Sequence, residues 1–195
     1  MAKKIKYKDE LLQGAESELI FLCGAFLLGA VFGSFFASGF TPGGPLGDLI
    51  AQTGRFKIFM LLHGTLLALI FAGPFLPFGA MAAPCSLAAE GFLLAAMVTS
   101  TVQTYGLKGY LPAVLAWFMT GIALLFLLLF MGCRSQLLAE SRSDRGLRRG
   151  FGRRQLLGRY ILHGVVLLAL LLIIGCLHCY VADRWAAWIT EKLSL

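Results

Sequence analysis

Apolar residues along this chain come in long unbroken runs rather than in alternating or one-sided stripes. Five runs reach the roughly 20 residues that a helix needs to cross a bilayer: 19–38, 57–76, 80–102, 110–132 and 160–182. Short segments rich in Gly, Pro or charge separate them. Gly73-Pro74 and Pro77 close the second run, and Pro84 and Pro112 fall in the first turns of the third and fourth, where a missing N–H costs little. Residues 105–109 are expected to turn. The pattern predicts an all-α, polytopic membrane bundle of five transmembrane helices. A polar segment, 1–18, precedes the transmembrane domain, 19–182, and a tail, 183–195, follows it. The first run is longer than the apolar core of a signal peptide and has a long leader, so it reads as an uncleaved span.

The connections fix the expected orientation. Residues 134–159 carry eight arginines against only Glu140 and Asp144. An excess of Lys and Arg in short loops marks the cytoplasmic side. With this loop inside, the inner side also holds Lys3, Lys4, Lys6 and Lys8, twelve basic residues in all, and the outer side holds five: Arg55, Lys57, Lys108, Arg184 and Lys192. The N-terminus is then inside and the C-terminus outside. Arg145, Arg148, Arg149, Arg153 and Arg154 are the candidates for contact with anionic lipid headgroups, at about 1 kcal/mol per basic residue near the surface. Trp185 and Trp188 share a helical face in the tail and suit a short helix in the outer interface. The external loop 39–56 is too short for a folded domain.

Composition narrows the class. The 195 residues are 58% hydrophobic and 14% charged, where soluble domains have nearer a quarter charged. The net charge of +7 belongs mostly to the inner segments and is no nucleic-acid footprint, since no aromatic platform accompanies the Arg-Gly run. Five cysteines lie in or beside apolar runs, unlike a disulfide framework.

Candidate chemistry is sparse. Ala25, Gly29, Gly33 and Ala37 recur every four residues on one face of the first span, a row that lets helix backbones approach closely, against another span of this chain or a partner's helix. Glu90 is the one acid inside an apolar run, and an intramembrane carboxylate is a functional-site candidate by default. It reads as a protonated or hydrogen-bonded tie to a neighbouring helix, a proton or ion site, or a group facing the inner interface or a water cavity. His63 and His163 are its candidate partners. His163, near the inner end of the fifth span, is the better placed, since His63 lies in the outer half of the second. Cys176, His178 and Cys179 do not make a metal site on a helix, because His178 at i+2 points away. No hydrolase or phosphate-loop motif is present, so no catalytic, cofactor or metal residues are assigned.

Several ordered features resemble the stage II sporulation protein M family. The first span reads Phe26-Leu27-Leu28-Gly29-Ala30-Val31-Phe32-Gly33, and the second closes with Gly73-Pro74-Phe75-Leu76. Glu90-Gly91 lies in the third, Tyr110-Leu111-Pro112 opens the fourth, and Leu157-Gly158-Arg159-Tyr160 leads into the fifth, which ends near Cys179-Tyr180-Val181. The resemblance implies a non-enzymatic scaffold in the bacterial cell membrane. Such a protein anchors peptidoglycan hydrolases, sporulation proteins P and D, at the septal membrane during engulfment. The first external loop is shorter than the family's. The competing expectation from the residues is a small transporter or permease subunit using Glu90.

Overall fold

The structure, a computed structural model, describes the backbone of residues 2–39, 56–143 and 151–193. Side-chain surroundings are described for 16–39, 56–100, 102–103, 120–139, 157–180 and 184. Four helices are assigned among them: α1 (Ala2–Ser38), α2 (Phe56–Ala72), α3 (Ala82–Ser143) and α4 (Phe151–Leu193). Two short 3-10 turns, Gly73–Phe75 and Gly79–Met81, join α2 to α3. Five segments are long and apolar enough to cross a membrane: Glu16–Ser38, Phe56–Phe75, Gly79–Ser100, Thr120–Ala139 and Leu157–Tyr180.

Two of those five belong to α3. Its 62 residues would extend about 93 Å if straight. Yet the space beside Gly132 is occupied by Ala83 and Leu87, and that beside Gly121 by Leu94. Gln136 donates a 2.7 Å hydrogen bond to the Ala80 carbonyl. The helical chain therefore doubles back on itself between Ser100 and Thr120, the interval that contains the turn expected at 105–109. The backbone stays helical through it. The third and fourth spans are the two limbs of this hairpin.

The bundle is tied closely where it carries small residues. A Cβ on Gly29 would collide with the Ala88 backbone, one on Gly33 with Phe92, and one on Gly91 with Phe26. Ala37 is buried on the same face. The row in the first span is thus spent on the third span of the same chain. Backbone contact of this kind substitutes for the hydrophobic drive that lipid tails cannot supply.

The basic end of the bundle shows how the broken helix is repaired. Pro74 has no N–H, so the Ile70 carbonyl one turn earlier loses its helical donor. The Ser135 hydroxyl donates to that oxygen at 2.9 Å. The Tyr160 hydroxyl lies 3.2 Å from it and 3.0 Å from the Phe71 carbonyl, with its ring stacked on Phe71. Spans two, four and five are joined through one proline-orphaned carbonyl. Gly79 turns tightly against Gly73, where no side chain fits.

Several element bounds differ from the sequence expectation. The helix leading out of the fourth span continues to Ser143 and the next begins at Phe151, so Arg134, Arg142, Arg153, Arg154 and Arg159 are helical rather than in a loop 134–159. Beyond 132 the described part of the fourth span runs on to Ala139, and there Ser135 and Gln136 turn their polar atoms onto carbonyls. The backbone of residues 2–18 is helical and continuous with the first span, since α1 runs from Ala2 with no proline to break it. The tail is likewise continuous with the fifth span to Leu193, with neither Gly nor Pro after Gly175.

Candidate functional site: a buried carboxylate–imidazole pair

Glu90 and His63 meet in the interior. His63 Nδ1 lies 2.8 Å from Glu90 Oε2, and only 4% and 1% of the two residues remain exposed. The match follows from depth. His63 is seven residues into the second span and Glu90 eleven into the third, which runs the other way. At 1.5 Å per residue these are about 10 and 16 Å from opposite ends. They sum to nearly the ~30 Å of a hydrocarbon core, so the two side chains are level.

The partner is therefore His63 and not His163, which corrects the expectation from sequence. Glu90 is about three turns into its span and close to the midplane. His163 sits less than two turns into the fifth span, with Nδ1 against the Arg159 carbonyl and its ring beside Phe130.

Phe59, one turn from His63, packs its ring at 4.4 Å from the His63 ring and stacks at 4.8 Å on His178 of the fifth span. The pair thus sits at one end of a sequence of rings crossing from the second span to the fifth. Met97, Thr120, Gly121 and Leu124 complete the surroundings of a small cavity. Its free space for a water centre is about 10 Å³, which is room for about one water. The pair is neutral overall whether it exists as carboxylate and imidazolium or as carboxylic acid and imidazole. Either form satisfies both partners without a net buried charge, which is the condition for burying ionisable groups at all.

From sequence alone His178 reads as a packing residue, and nothing singles out Phe59. One available signal was depth: residues at matching distances from opposite ends of antiparallel spans are level. His178 is buried while Cys176 is exposed, so the two face different surroundings. Among the described residues no three His, Cys, Asp or Glu side chains cluster as metal ligands do. Arg145, Arg148 and Arg149 lie outside the described residues, as does most of loop 39–56. Arg153, Arg154, Trp185 and Trp188 have helical backbone, and their side chains lie outside the description.

Compared with protein-family models, curated proteins and solved structures, the chain matches none.

Proposed function

We propose that this protein is a non-enzymatic membrane scaffold. In the reading that the family resemblance implies, it holds membrane-anchored peptidoglycan hydrolases, sporulation proteins P and D, at the septal membrane of a bacterium during engulfment. The basic end of the bundle faces the cytoplasm, as the balance of Lys and Arg requires.

The observation that carries this reading is how the interior polar groups are used. Glu90 and His63 tie the third span to the second. Ser135, Gln136 and Tyr160 tie the fourth and fifth to the α2–α3 corner. The cavity at the pair holds about one water, too little for a solute. The exterior offers a different feature. The first and second spans flank the third and leave a lipid-facing groove between them, with Gly29, Ala88 and Ala89 in its lining and Phe32, Leu61 and Thr65 at its sides. Small residues there let a single-span anchor approach closely, and this groove is where the scaffold would seat it. The contact face is thus the groove rather than the Gly29/Gly33 row itself, which the third span covers.

The competing reading makes Glu90 the proton-binding group of a transporter or permease subunit, favoured by its midplane depth beside a titratable imidazole. Site-specific photocrosslinking in native cells separates the two. A photoactivatable residue at Leu61 or Phe32 is expected to capture a single-span cell-wall hydrolase, and one at Leu172 on the fifth span is not. Capture of a transport ATPase or permease subunit from the groove, with no hydrolase, would overturn the scaffold.

A further inference from the structure

Two connections close the basic end of the bundle, and they are opposite in character. The one after the fourth span carries Arg142, Arg145, Arg148, Arg149, Arg153 and Arg154. The other, the α2–α3 corner, carries no charge: no Asp, Glu, Lys or Arg occurs between Lys57 and Glu90. Its side chains are large and apolar, and they face outward. Phe75, Leu76, Phe78 and Met81 are all exposed. Phe78, at 84% exposed, projects from the turn.

The backbone of this corner is bonded from within. The Leu76 N–H donates to the Gly73 carbonyl, the Gly79 N–H to Leu76 and the Met81 N–H to Phe78. The Ala82 N–H donates to the Gly79 carbonyl. Side chains of two other spans serve three more carbonyls: Ser135 at Ile70, Tyr160 at Phe71 and Gln136 at Ala80. A helix end in water can leave such carbonyls to solvent. Backbone in lipid has no solvent partner and must find its partners in the protein. The uncharged surface and the internally bonded carbonyls are two independent marks of the same surroundings.

We propose that the α2–α3 corner is a membrane insert. It lies at the boundary of headgroups and acyl chains at the basic end, with Phe75, Leu76, Phe78 and Met81 among the lipid tails, and does not emerge into water. Lipid is the occupant for three reasons. The patch continues the exposed apolar surface of the second span, Leu61 and Leu69, with no charged residue between. Its backbone is bonded as a lipid environment demands. Phe78 forms a projecting tip, and Phe and Leu side chains are those that sink into the headgroup–acyl boundary. Of the two connections at this end, only the arginine-bearing one is then open to a water-soluble partner. The proposal rests on the five spans crossing a bilayer and not on the scaffold role.

Site-directed spin labelling of the full chain in phosphatidylcholine–phosphatidylglycerol vesicles tests it. The five native cysteines are replaced by alanine, and a nitroxide is attached at Phe78→Cys. Its collisions with oxygen, which partitions into the bilayer, are compared with its collisions with a water-soluble nickel chelate. Phe126→Cys, exposed on the fourth span, is the lipid reference. Arg148→Cys, in the arginine-bearing connection, is the aqueous one. The ratio of oxygen to nickel collisions at position 78 is expected to match the lipid reference and to stand severalfold above the aqueous one. A ratio matching the aqueous reference would put the corner in water and overturn the proposal. Low collision rates with both reagents would overturn it as well, because they would mean contact with protein, from a second copy or a partner. Met81→Cys, at a second exposed position of the corner, decides the matter if Phe78→Cys fails to reconstitute.

Discussion

Glu90 and His63 show what a membrane interior demands of an ionisable residue. A lone carboxylate there is costly, and an imidazole within hydrogen-bonding distance removes most of the penalty by keeping the pair neutral. Substitution therefore depends on what replaces the acceptor. Glu90→Gln keeps a carbonyl oxygen that accepts from the His63 N–H, and the folded protein in detergent is expected to lose less than ~1 kcal/mol. Glu90→Leu leaves the imidazole N–H buried without an acceptor and is expected to cost about 1–3 kcal/mol. Thermal melting of the two variants side by side checks this, and equal loss in both would mean that the charge, not the hydrogen bond, holds the helices. Tyr160→Phe should cost about 0.5–1.5 kcal/mol by taking a donor from the Ile70 and Phe71 carbonyls. That second network was partly readable: Pro74 announces an orphaned carbonyl at Ile70. Nothing in the local sequence names the donors, because Ser135 and Tyr160 are 65 and 90 residues away. Glu90 was legible as a lone acid in an apolar run. Its partner was not, because the choice between His63 and His163 turns on span depth to within a few ångströms.

At the scale of elements, contact between α1 and the third span rests on glycine. Gly29→Leu places a side chain into the Ala88 backbone and should abolish accumulation of folded protein. Gly24→Leu, with nothing within 4 Å of the added carbon, should be tolerated. Size-exclusion of the two variants in detergent reads the difference, and a monodisperse Gly29→Leu at normal yield would contradict this packing. The row was visible as a four-residue period, since period alone puts small residues on one face. Which surface it meets was not visible, because periodicity carries no information about the partner. Segment ends were the least legible part. The α3 hairpin keeps helical backbone through its reversal, and α4 runs past its span, since no residue after Gly175 disfavours helix strongly enough to end it.

At the scale of the whole molecule, five apolar spans follow from run length alone, and their arrangement follows from a few polar and small-residue contacts. Leu22 of α1 packs against Gly132 of the fourth span, and the adjacent Cys23 and Cys133 sit against the same buried cluster, which places two native thiols at one helix interface. A protein retaining only those two cysteines should crosslink with a short bifunctional thiol reagent, and a Cys85–Cys176 pair, both exposed elsewhere, should not. What the bundle does divides between its interior, where polar groups join helices, and its lipid-facing groove, where a partner would sit. The most direct measurement compares Glu90→Gln with Thr65→Trp for rescue of native cells lacking the protein, both variants being confirmed at normal levels in the membrane. A scaffold predicts that Glu90→Gln restores function and that Thr65→Trp, which fills the groove, does not. Rescue by Thr65→Trp together with failure of Glu90→Gln would contradict the account and make the buried carboxyl the working group.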